Sequence, residues 1–127
     1  MPESQRKYDK GESRRKHQGS SDEANVVWEN GLEVGKCPKG FSLEQASVLL
    51  QHAIPEFKKR QPDQPFRLWN YYAGAVYQAR TSDGGLTWHG WPVQAKHIPP
   101  DIQRQLKERA ESHSEIKELK RWLDRKF

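Results

Sequence analysis

The sequence predicts an α+β domain. It would have an antiparallel sheet of two hairpin units, about four to five strands, one central helix and a C-terminal helical segment. Three observations carry this. Strand-forming stretches flank Asn30-Gly31 and again flank Ser82-Asp83-Gly84-Gly85, residues suited to the positive φ angles of tight hairpin turns. Leu43, Ala46, Leu50, Ala53 and Ile54 recur at helical spacing. Apolar stripes at helical spacing return after Pro99-Pro100.

Residues 1–22 contain no Val, Ile, Leu, Phe or Trp, and hold six Lys/Arg against four Asp/Glu. Such a segment has too little apolar surface to offset its ordering entropy, so a disordered basic tail is expected, with one domain over 23–127. Order should begin near Asn25. Val26, Val27 and Trp28 favour a strand, and Leu32 and Val34 follow the Asn30-Gly31 turn. After the loop around Cys37, Ser42 and Gln45 form a capping box for the central helix, with Pro55 as its stop. A proline-marked basic connection covers 56–65, and Phe66–Tyr72 reads as a strand.

Val76–Thr81 and Leu86–Trp91 make the second hairpin. With Asp83-Gly84 at the loop, Thr81 faces Leu86, Arg80 faces Thr87, Ala79 faces Trp88 and Gln78 faces His89. A loop at Gly84-Gly85 would slide these pairs but keep the faces. Tyr77, Ala79, Leu86 and Trp88 then form the core face. Val76, Gln78, Arg80, Thr87, His89 and Trp91 form the other. Trp69 and Tyr71 alternate with Leu68 and Tyr72, so one of these sets should face outward. In the C-terminal region, Ile102, Leu106 and Ala110 give one stripe, and Ile116, Leu119, Trp122 and Leu123 another. Either two helices, with Ser112 and Glu115 capping the second, or one bent helix is expected, with the helices packing on one face of the sheet.

Composition narrows the function. No apolar run reaches the roughly 20 residues of a membrane span. The first thirty residues lack the apolar core of a signal peptide. One cysteine excludes a disulfide framework and a multi-cysteine zinc site, and points to a reducing, cytoplasmic setting. The five histidines have no helical i, i+4 pairing, so no metal and no cofactor is expected. The Gly84-Gly85 pair joins strands and lacks a Gly-Lys-Ser/Thr ending, which excludes a phosphate loop.

The net charge of +5 divides into +2 on residues 1–22 and +3 on residues 23–127. Between Val34 and Arg80, seven bases meet three acids. The expected binding residues are therefore Arg80, Gln78 and His89 on the hairpin, with Lys58, Lys59 and Arg60 beside them and Arg67 nearby. Arginine grips phosphate bidentately, and aromatic rings nearby stack bases. The leading expectation is a binding module without catalysis, its partner RNA, DNA or an acidic protein. One alternative is a metal-independent ribonuclease of toxin type, with His89 moving the proton, Arg80 stabilising phosphate and Tyr77 or Tyr72 assisting. The other is a protein–protein adaptor or self-associating domain using exposed aromatics and the C-terminal helix.

Overall fold

A computed structural model of the chain describes residues 6–8 and 19–127. The strands are β1 (Lys7–Tyr8), β2 (Asn25–Glu29), β3 (Leu32–Lys36), β4 (Ile54–Glu56), β5 (Arg67–Tyr72), β6 (Ala75–Arg80) and β7 (Thr87–Pro92). The helices are α1 (Leu43–Gln51), α2 (Pro100–Ser112) and α3 (Ile116–Asp124), with a short 3-10 turn at Ala95–His97. The domain is thus α+β. Of the segment expected to be disordered, residues 1–5 and 9–18 lie outside the described residues, while Lys7–Tyr8 forms a strand.

The strands make two sheets, not one. β2 and β3 pair with each other through a turn in which Asn30 and Gly31 both have positive φ, 54° and 79°. The main sheet runs β1-β7-β6-β5-β4. Its pairs are antiparallel except β1, which adds in parallel to β7. β4 arises where the apolar spacing predicted helix: α1 ends at Gln51, and Ile54-Pro55-Glu56 pairs with Trp69-Leu68-Arg67. Pro55 belongs to an edge strand, where its missing N–H is tolerated.

The second hairpin pairs Arg80 with His89 and Gln78 with Trp91, two residues along from the Asp83-Gly84 register. The faces survive this slide because side chains alternate with period two. Leu86 does not survive as core: it sits in the loop and is 69% exposed. Asp83 organises that loop. Its Oδ1 accepts from the backbone of Leu86 and Thr87 at 3.1 and 2.9 Å, and its Oδ2 from the Thr87 hydroxyl at 2.6 Å.

Helices cover both faces of the sheet, which overturns the one-face expectation. On one face, α1 supplies Leu50 to a cluster with Ala53, Leu68 and Trp88, and Tyr8 and Ala79 pack against it. On the other, Ile102, Leu106 and Ala110 of α2, with Leu119 and Trp122 of α3, join Ile54, Trp69, Tyr71 and Val76. This larger cluster also takes in Val26, Cys37 and Tyr77. Because both faces are covered, Leu68, Trp69, Asn70 and Tyr71 are all buried, and neither alternating set faces outward.

Local sequence explains the joints. The Ser42 hydroxyl accepts from the Gln45 N–H at 3.0 Å, and the Gln45 side chain accepts from the Ser42 N–H at 2.9 Å, the reciprocal capping box. α2 and α3 are separate. α2 ends with Ser114 at φ 59°, the Ser114 N–H bonding the Glu111 carbonyl and the Glu115 N–H the Ala110 carbonyl, a Schellman closure. Ser112 therefore belongs to α2 and does not cap α3; its hydroxyl donates to the Arg109 carbonyl. Gly35 lies so close to β7 that any Cβ there would collide with the Pro92 carbonyl oxygen.

Candidate nucleic-acid interface

The strand registers set charged residues in a row across the sheet. Glu56 pairs with Arg67 on β5, and Arg80 with His89 on β7. Leu68 pairs with Ala79, so the next step along the two strands brings Arg67 beside Arg80. Lys7 pairs with Thr87, which shares a face with His89 two residues on. One face thus carries Glu56, Arg67, Arg80, His89 and Lys7 from five successive strands. Arg80, Lys7 and Lys58 are exposed, and Arg67 and His89 half-buried.

Phe66, just before β5, is the centre of the charge. The Lys58 ammonium lies 3.9 Å from its ring centroid, the Arg67 guanidinium 4.8 Å and the Arg80 guanidinium 5.4 Å. Cations over a ring face gain from its quadrupole, but three together repel one another. The carboxylate that answers them is Glu56. Arg67 donates to it with two parallel bonds of 2.8 and 2.9 Å, and the Trp69 indole donates at 2.9 Å. Burial alone pushes the Glu56 carboxyl up. The bonds from Arg67 and Trp69, with the charges of Arg67 and Arg80, outweigh that and hold it below its ordinary value. Three cations and one carboxylate leave the cluster at +2. Beside it the His89 ring stacks on Trp91 at 5.2 Å.

The structure brings some of the expected residues together and separates others. Arg80, His89 and Lys58 join the row. Gln78 shares the face, but is 6% exposed and lies in the buried part of β6. Lys59 and Arg60 are exposed in the turn closed by the Lys58–Gln61 bridge, outside the Phe66 cluster. Tyr77 lies on the opposite face from Arg80 and His89, because its position has the other parity. It is buried, and burial, then its neighbour Cys37, raises its phenol. Tyr72 is also on that opposite face, accepting from the Gln45 amide. Neither tyrosine can assist at His89. Trp122 is buried and its indole donates to the Val93 carbonyl at 2.8 Å, so α3 offers no aromatic surface through it.

Sequence reasoning left out three members of the row or its support. Phe66 was read only as a strand residue, and Glu56 as part of a loop. Arg67, expected near the basic residues, lies within the row. Lys7 fell in the segment expected to be disordered. The i, i+2 spacing that puts Arg67 and Trp69 on one face and the charge match with Glu56 were visible signals, but only the β4–β5 register joins them. Lys7 is positioned by its neighbours. Arg6 donates to the Leu50 carbonyl at the end of α1, Gln51 donates to the Arg6 carbonyl, and the Tyr8 hydroxyl donates to the Gly90 carbonyl.

A concavity of about 850 Å³ opens where α1 and α2 end, lined in part by His52, Tyr71, Arg109, His113 and Glu115. Its charges are engaged internally. Arg109 donates to the His52 carbonyl at 2.7 Å and to the Asn70 side chain, and so caps the negative end of α1. Glu115 accepts from the Tyr71 hydroxyl at 2.8 Å. Burial first, then this bond to Glu115, pushes the Tyr71 phenol up to about 12. Two helix C-termini and a carboxylate disfavour an anion here, while Arg109 disfavours a cation. These contacts join the helices to the sheet.

Among the described residues, no three His, Cys, Asp or Glu side chains converge as a metal site. No helix among them is long and apolar enough to cross a membrane. The fold and the face define the class only as an α+β domain with a basic, aromatic-lined sheet surface. Compared with protein families, curated proteins and solved structures, the chain matches none.

Proposed function

We propose that this protein is a non-catalytic binding module that holds nucleic acid against the row from Phe66 and Lys58 to Lys7. The observation that carries this reading is the Phe66 cluster: three cations within 5.4 Å of one ring, answered by one carboxylate. A phosphate placed among them relieves their mutual repulsion, and arginine offers it a bidentate grip. Arg67, Arg80 and Lys7 lie on strands, so the sheet sets the spacing of their backbones.

The test is fluorescence anisotropy with a labelled oligonucleotide at low salt. Binding should weaken as salt rises, because each phosphate contact releases counterions. Arg80→Gln and Lys58→Gln should each weaken it, while Lys117→Gln on the exposed side of α3 should not. No binding at low salt overturns the reading.

A further inference from the structure

We infer, on the basis of that reading, that the nucleic acid held here is single-stranded, its phosphates on Lys58, Arg80 and Lys7 and its bases stacked on Phe66 and on the His89–Trp91 pair. The cations alone would suit any polyanion. The rings between them are what discriminate. Phe66 sits within the cation cluster, its ring open to a base once Lys58 turns to a phosphate, and the His89 ring, stacked on a Trp91 that packs against the core, adjoins Arg80 through the strand register. A duplex keeps its bases stacked inside and presents phosphates, so rings on a sheet face have nothing to meet. An acidic protein presents carboxylates without flat rings. A single strand presents both phosphates and open base faces, which aromatic side chains stack.

The dimensions set the footprint. From β5 across β6 and β7 to β1 are three strand steps of about 4.8 Å, or about 14 Å. At a rise of about 3.4 Å per nucleotide in a stacked strand, this accommodates about four nucleotides. Arg67 is neutralised by Glu56, which leaves Lys7, Lys58 and Arg80 as the cations to be matched by phosphate. At about −0.7 per contact, log affinity against log salt should fall with a slope near −2.

The experiment measures anisotropy of labelled oligopyrimidine strands of increasing length, a blunt duplex, and poly-glutamate of matched charge, all with the full chain. The single strand should bind about fivefold or more tighter than either other probe, the lower end of what one base–aromatic stack contributes. Affinity should climb up to about four nucleotides and change slowly beyond. Phe66→Leu should collapse the ratio of single-strand to poly-glutamate affinity, and Phe66→Tyr should retain it. Equal binding of the three probes, or a duplex preference, overturns the inference and leaves polyanion binding standing. Tighter poly-glutamate binding overturns it in favour of an acidic protein. No binding of any probe at low salt overturns the proposed function itself. If Phe66→Leu unfolds, the length series and the three-probe comparison on the parent chain decide.

Discussion

Replacing Glu56 by Gln should weaken the fold and strengthen nucleic-acid binding. In the folded chain Glu56 receives two bonds from Arg67 and one from the buried Trp69 indole. Both charged side chains are 20% exposed, between the exposed pairs worth about 0.2–1 kcal/mol and the buried pairs whose breakage costs about 3–5 kcal/mol. Gln keeps an acceptor for Trp69 but loses the charge, so about 1–2 kcal/mol of stability should go. Glu56→Ala also strips Trp69 of its acceptor, a further loss of about 1–3 kcal/mol. The carboxyl is held below its ordinary value in the folded state. Its stabilisation is therefore full above the unfolded value of about 4.3 and disappears as pH falls through the lower folded value. Urea unfolding of the parent and Glu56→Gln should differ at pH 7 and converge as pH falls through the lowered folded value. Binding should move the other way, because Arg67 is freed: the salt slope should steepen by about 0.7. A stability difference that ignores pH, or weaker binding by Glu56→Gln, would refute the reasoning.

The other predictions concern packing and the second hairpin. Leu106→Ala, at a fully buried position of α2, should cost about 2–5 kcal/mol in urea unfolding. Leu86→Ala, at an exposed loop position, should stay within about 0.5 kcal/mol; a large loss there would restore the register with Leu86 in the core. Gly35→Ala should cost about 1–3 kcal/mol, because its methyl meets the Pro92 carbonyl, and an unchanged unfolding midpoint would place β3 elsewhere. The bond from the Thr87 hydroxyl, followed by that from its backbone N–H, lowers the Asp83 carboxyl to about 2. The loop contacts of Asp83 should persist above its unfolded value of about 3.9 and fade as pH falls through about 2. A carbon-detected NMR titration of Asp83 with a midpoint near 4 would contradict this.

Much of the fold is legible because its signals are local. Asn30-Gly31 fixes one turn by its own φ preferences, and Ser42 with Gln45 starts α1 without outside help. The stripe Ile102, Leu106 and Ala110 marks the buried side of α2. What could not be read depends on pairing between distant residues. Ile54 continues the apolar spacing of α1, yet the edge of β5 draws it into a strand. Tyr8, an aromatic in an otherwise polar stretch, is placed by distant partners: β7 pairing, the Gly90 carbonyl and the Leu68–Trp88 cluster. Burial of both Leu68 and Trp69 was illegible for the same reason: a near-continuous apolar strand needs cover on two sides, and the sequence did not say where α1 would lie relative to α2 and α3. The charged face was partly visible. Arg80 and His89 keep a common face under any even slide of the hairpin. Glu56, Arg67 and Lys7 reach it only through β4–β5 and β1–β7 pairing.

The central claim is that a row of cations on the sheet holds nucleic acid, and its most direct measurement is the salt dependence of oligonucleotide affinity for the parent chain and Arg80→Gln. The parent should show a slope near −2, and loss of the Arg80 charge should make it shallower by about 0.7 while lowering affinity at every salt concentration. A slope near zero, or one that Arg80→Gln leaves unchanged, would contradict the claim.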